Sequence, residues 1–240
     1  VMPRREELPR RPRCTLRFCS DALRLPLDRD TMGAQVVDSG ELEILEARMG
    51  RLHARQRLGV ETDHEAQVFG HGLHFFHIEN SKLSAFVIEW TLKLTGLYWR
   101  GRSNAARVRI VENRVASAAL PAGFDGFTIL HLSDLHCDMS ERAMARVNEL
   151  VAPLAYDVCV ITGDFRGDTF GSCDRCMGSV AALRSRLKGP VYAVLGNHDS
   201  VRMVPVLEGM DIRVLMNEGV TIEREGRAIY LAGVDEAHFY

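Results

Sequence analysis

Apolar and polar positions alternate in different rhythms along this chain, and the change of rhythm divides it. From Gly40 to about Leu58, Glu-Leu-Glu-Ile-Leu-Glu-Ala-Arg-Met-Gly-Arg-Leu-His-Ala-Arg-Gln-Arg-Leu sets apolar residues at helical intervals among charges, which predicts a solvated amphipathic helix. Asn80 or Ser81 can cap a second helix running to about Tyr98, with Leu83, Phe86, Val87, Trp90, Leu94 and Leu97 on one side. That stripe is expected to be core or interface. After a basic turn from Arg100 to Arg107, Val108-Arg-Ile-Val111 and Arg114-Val-Ala116 predict a hairpin around Glu112-Asn113, followed by a Pro-Ala-Gly loop at 121–123.

Beyond that loop short β runs alternate with helical stretches. Strands are predicted at 127–132, 157–161 and 191–195, and helices at 140–153, 179–187 and 201–208. Three shorter strands follow near 213–216, 220–224 and 228–232. This alternation implies an α/β fold with a largely parallel, covered sheet. The predicted organisation is a flexible or irregular segment over 1–39, a helical pre-domain or dimer contact over 40–107, and the α/β domain over 108–240. Residues 1–13, with three prolines and five arginines, are too polar to bury much surface.

Composition narrows the classes. The 240 residues are 46% hydrophobic and 26% charged, enough for a large core, and 30 basic against 32 acidic residues leave a formal charge of −2. No global basic field points to nucleic acid as an obligatory partner. The six cysteines do not read as a disulfide framework, and a reducing cytoplasm is the expected location. The run from Leu83 to Trp99 is interrupted by Glu89 and Lys93 and is too short to span a bilayer, where about 20 apolar residues are needed. The chain starts at Val1 and stops at Tyr240 straight after a strand-like segment, so a fragment of a longer polypeptide is expected.

Three of the predicted strands end in metal-ligand chemistry. His131-Leu-Ser-Asp-Leu-His136, Thr162-Gly-Asp164 and Leu195-Gly-Asn-His-Asp199 each follow an apolar run. Asp134 and Asp164 stand 30 positions apart, and Asp164 and Asn197 33, about one strand-helix-strand unit each. Ligands of parallel sheets lie beyond the carboxyl ends of the strands, so each segment would present its polar residues at one edge. Asp134 and His136 can share one cation, Asp164 can bridge it to a second, and Asn197 offers a neutral amide oxygen to the latter. Mixed oxygen and imidazole donors suit manganese, iron, zinc or magnesium without choosing among them. A pair of such ions activates water as hydroxide for in-line attack on phosphorus, and His198 is placed to stabilise or protonate the leaving oxygen.

Asp134-x-His136, Gly163-Asp164 and Gly196-Asn197-His198-Asp199 are similar, position by position, to the first three signature blocks of the calcineurin-like metallophosphoesterases, with the resemblance running over about 125–240. Leu231-Ala-Gly-Val-Asp235 looks like a segment of bacterial members that hydrolyse phosphomonoesters, phosphodiesters or lipid pyrophosphates. The resemblance implies a four-layer α/β/β/α sandwich whose second sheet is incomplete here, metal ligation by Asp134, His136, Asp164 and Asn197, and a catalytic His198. The family's later isolated His and Gly-His-x-His block do not occur before Tyr240, and His238 is a poor substitute. A catalytically incomplete scaffold that binds a partner is therefore the alternative to a phosphoesterase.

Other residues carry weaker signals. Cys173-x-x-Cys176 is read as two ordinary thiols in a loop, and Cys137 as a buried structural thiol. His71, His74 and His77 are read as packing and hydrogen-bonding residues, with a second metal patch as the alternative. Asp168 and Asp199 are candidates either to orient His198 or to be solvated turn residues. Trp90, Tyr98, Trp99 and the nearby arginines allow a peripheral membrane contact.

Overall fold

The computed structural model describes residues 39–69, 82–167 and 172–235. The segment 1–38 and the candidates His71, His74, His77, Asp168 and His238 lie outside the described residues. At the centre is a parallel sheet in the order β1 (Ile129–Leu132), β2 (Val158–Thr162), β3 (Val191–Val194), β4 (Arg213–Val214). Its register sets Ile129 beside Val158 and Cys159 beside Val191. The connections are helical: α5 (Glu141–Val151) after β1, α6 (Asp174–Arg184) after β2, and a short 3-10 turn (Val201–Met203) leading into α7 (Val204–Gly209) after β3. An antiparallel pair, β5 (Glu218–Arg224) and β6 (Arg227–Gly233), forms a second, separate sheet. This is the mixed α/β architecture that the strand-helix alternation predicts, with the second sheet reduced to two strands among the described residues.

Local chemistry explains the boundaries. Ser140 caps α5, its hydroxyl accepting from the Ala143 amide, and Met144, Val147 and Val151 bury one stripe of that helix. Helix α6 begins at Asp174, five residues ahead of the predicted start. Gly178 lowers helix propensity there, but Ser172 and Asp174 organise the first turn and Cys176, Met177, Val180 and Leu183 bury its face. Central β2 is buried along most of its length, whereas edge strand β1 alternates exposed and half-buried residues.

The amino-terminal helices depart from expectation. The single solvated helix is two, α1 (Ser39–Met49) and α2 (Arg51–Phe69), broken at Gly50, whose φ of +85° no other residue adopts cheaply. Leu45, Ala54 and Leu58 are buried in the same core as the parallel sheet, so α1 and the first part of α2 pack as part of the α/β body. Arg48 holds them there, its guanidinium donating to Glu208, to Glu218 and to the Val214 carbonyl, and the Glu218 and then the Glu208 carboxylate raise its pKa against the opposing effect of burial. The second helix is likewise two, α3 (Lys82–Leu94) and α4 (Leu97–Ala105), with Gly96 at φ +74° between them. Its apolar stripe is not core: Phe86, Val87, Trp90, Leu94 and Leu97 are exposed.

The predicted hairpin around Glu112-Asn113 is not formed. Residues 107–116 carry no strand: α4 continues to Ala105, Val108 packs against the core instead of a partner strand, and Ile110, Val111 and Val115 stay exposed.

Candidate metal centre

Each predicted metal-binding segment begins where a parallel strand ends. Asp134 and His136 lie in the loop after β1, Asp164 two residues past β2, and Asn197 and His198 in the turn after β3. Since β1, β2 and β3 are adjacent and parallel, the loops share one edge. One ligand atom from each of Asp134, His136 and Asp164 lies within 4.8 Å of the others. The rings of His136 and His198 meet edge-to-face with centroids 5.5 Å apart. The His198 amide donates to Asp164 Oδ1 at 3.2 Å. Asn197 is exposed, directly after Gly196, whose backbone touches Asp164.

The backbone is bent to make this cluster. Six non-glycine residues among those described have positive φ, and three of them are Asp134 (52°), His136 (40°) and Asp164 (53°). Left-handed backbone is uncommon outside glycine, Asp and His tolerate it better than most, and such conformations collect at functional sites. The loops are stitched together by main-chain bonds, His136 N–H to the Asp164 carbonyl at 3.0 Å and Cys137 N–H to the Phe165 carbonyl at 2.7 Å.

The imidazole of His136 is oriented for ligation. Its Nδ1 lies 2.9 Å from the Arg166 carbonyl, an oxygen that can only accept. The proton therefore sits on Nδ1, and in the neutral ring Nε2 keeps its lone pair for a cation. Two carboxylates and one such nitrogen form a donor set that fits a divalent metal ion.

Glycine is required where β2 and β3 end. Gly163 has φ +82°, and a Cβ there would fall 2.4 Å from the Gly196 nitrogen. A Cβ on Gly196 would fall 2.2 Å from Asp164 Oδ1. Gly163→Ala should therefore cost about 2–4 kcal/mol of folding stability, as left-handed strain and backbone displacement add, which chemical denaturation will measure.

Asp199 is neither a solvated turn residue nor simply an orienter. It is 2% exposed, and its carboxylate accepts amide N–H groups from Phe165 at 2.9 Å, Arg166 at 3.3 Å and Gly196 at 2.9 Å. One side chain from the β3 loop thus fixes the β2 loop and its own. Burial pushes its pKa up to about 6 against the opposing pull of those amides. A carboxyl that holds its proton more tightly folded than unfolded lends stability that is complete below pH 3.8 and is lost as the pH rises through about 6. The unfolding free energy of the wild type relative to Asp199→Asn should accordingly decline across that window in urea titrations at successive pH values.

Sequence reasoning also missed Arg166 and Glu61. Buried Arg166 donates from Nε to the His198 carbonyl at 2.5 Å and from Nη1 to Cys173 Sγ at 3.1 Å. Glu61 of α2 accepts from the Ser200 hydroxyl at 2.6 Å and the Val201 amide at 2.9 Å, bracing the segment just past Asp199. Nothing in the local sequence marks a glutamate 139 positions away as a brace. Cys137 and Cys176 are buried, with Cys176 in α6 rather than a loop, and its thiol donating to the Phe165 carbonyl at 3.3 Å. The Cys176 pKa is raised, first by its hydrogen bond with Cys137 and then by burial, which keeps it a thiol.

Comparison with known proteins matches residues 127–233 to the calcineurin-like phosphoesterase family. A Bacillus subtilis (strain 168) protein described as the uncharacterized metallophosphoesterase YkoQ is 34% identical over 117 residues. That alignment covers 45% of this chain and 43% of the relative, so the chain spans less than half of the relative's length.

Proposed function

We propose, from the premise that residues 127–233 belong to the calcineurin-like phosphoesterases, that this domain hydrolyses phosphate mono- or diesters, or a pyrophosphate, with two divalent cations. Metal-dependent phosphoester hydrolysis is the chemistry of the family; the substrate and the pair of ions are our reading of this chain. The observation that carries it is the convergence of Asp134, His136 and Asp164 within 4.8 Å at one edge of the parallel sheet.

Cations bound there would draw charge from the phosphoryl oxygens and bring a water's pKa toward neutrality. Asp134 and His136 would hold one ion, and Asp164 would serve both, since its carboxylate has lone pairs beyond the one that takes the His198 amide. Asn197 would add a neutral oxygen without further charge. His198, whose ring meets that of His136 edge-to-face, would stabilise or protonate the leaving oxygen. Arg166 and Asp199 act as positioning residues, holding the His136 ring and the two loops.

Turnover of p-nitrophenyl phosphate and bis-p-nitrophenyl phosphate is expected to vanish after chelation and return with manganese, iron, zinc or magnesium. Activity that survives thorough chelation would remove the metal-dependent reading.

A further inference from the structure

We propose that the α3–α4 segment is a docking surface for a bilayer of anionic phospholipid. The side chains from Phe86 to Trp90 are all exposed, so this stretch offers apolar groups around the helix rather than along one seated face. Leu94 is 82% exposed and Trp99 61%, and α4 buries none of its residues. Large apolar surface left in water by a folded chain marks an interaction site.

Charge selects the occupant. Residues 86–109 hold five basic residues, Lys93, Arg100, Arg102, Arg107 and Arg109, against one acid, Glu89. Lys93 pairs with Glu89 at 2.7 Å, so the excess rests on the arginines of α4 and the segment after it. A second copy of this surface would bring like charges together, whereas phosphate headgroups neutralise them. Aromatic rings mixed with basic side chains are the composition of helices that lie in a membrane interface. Trp90 and Tyr98 lie 5.8 and 5.2 Å from the Lys93 ammonium, and Tyr98 5.7 Å from the Arg102 guanidinium, gathering ring and charge at one level.

Length argues for lying on the bilayer rather than crossing it. Helix α3 has 13 residues, about 20 Å at 1.5 Å per residue, against roughly 30 Å of hydrocarbon. Among the described residues no helix is long and apolar enough to cross a membrane. Trp99 and Arg102 border a cleft of about 240 Å³ with Ser140 and Arg142, at the start of the helix that follows Asp134 and His136. A docked bilayer would thus lie against the loop that opens the candidate metal centre.

The test is co-sedimentation with vesicles of phosphatidylcholine and phosphatidylglycerol in equal parts, in EDTA, so that its outcome does not depend on the hydrolase reading. The protein should bind these vesicles, bind pure phosphatidylcholine much less, and release as salt is raised. Trp90→Ser with Trp99→Ser, both surface changes, should weaken binding at least about tenfold at unchanged melting temperature. Arg100→Glu with Arg102→Glu, which reverses charge while keeping the aromatic and aliphatic side chains, should do the same. The proposal falls if the anionic vesicles leave the protein in the supernatant, if neutral vesicles bind it equally, or if either double variant, folded, binds as the wild type does. It falls equally if the wild type is a dimer that the tryptophan variant dissociates while vesicle binding is absent.

Discussion

Asp164→Asn is expected to lower phosphoesterase turnover by at least about 10²–10³-fold and to abolish binding of one or both ions. The change is close to isosteric. Asn retains an oxygen that can accept the His198 amide, as Asp164 Oδ1 does at 3.2 Å, and brings no added volume against Gly196. What it removes is the negative charge and half of the oxygen lone pairs at the centre of the cluster formed with Asp134 and His136. Folding stability should shift by no more than about 1 kcal/mol, because the carboxylate stands among other acids and its replacement relieves repulsion as well as losing a strong acceptor. Calorimetric titration with manganese or zinc, run beside the activity assay and a thermal melt, separates the two effects. Wild-type turnover from the variant would rule out Asp164 as the shared ligand.

The largest effect on stability is expected at Asp199. Truncation to Ala leaves three amides, those of Phe165, Arg166 and Gly196, without the carboxylate they donate to, in a place almost closed to water. Each unsatisfied buried N–H costs about 1–3 kcal/mol, so a loss of roughly 3–9 kcal/mol is expected, a large part of the stability of a domain. Asp199→Asn should cost less than Ala. Its carbonyl can still serve the Phe165 and Arg166 amides, but its NH₂ then faces the Gly196 N–H. Ordering in urea denaturation should be wild type, then Asn, then Ala, and an Ala variant as stable as the wild type would mean that the two loops hold each other without this carboxylate.

Much of this arrangement is legible in the sequence for a simple reason. The parallel strands are short apolar runs bounded by turn residues, and strand ends carry ligands in parallel sheets, so periodicity places Asp134, Asp164 and Asn197 at one edge before any coordinate is known. The helical segments were harder. Gly50 and Gly96 each stop one helix and let another start in a new direction, which periodicity averaged over a window does not detect. Burial of Leu45, Ala54 and Leu58 depends on what α1 and α2 pack against, a tertiary fact that mixed charges on those helices conceal. The expected strands at 108–116 lacked a partner, and pairing is a property of two segments, not one. At the metal centre, ligand-type residues stand out by chemistry, but the staples do not. Asp199 is read in sequence only as an orienter of His198 or a solvated turn residue, and Glu61 acts across the fold on Ser200 and Val201.

The near-contact of Gly163 and Gly196 also bears on how such a gene can drift. Every codon change that replaces either glycine installs at least a methyl group, with atoms already standing 2.4 and 2.2 Å from where it would go. Neutral wandering is closed at both positions, so sequence change at this edge of the sheet must fall on the surrounding rim while this pair stays fixed.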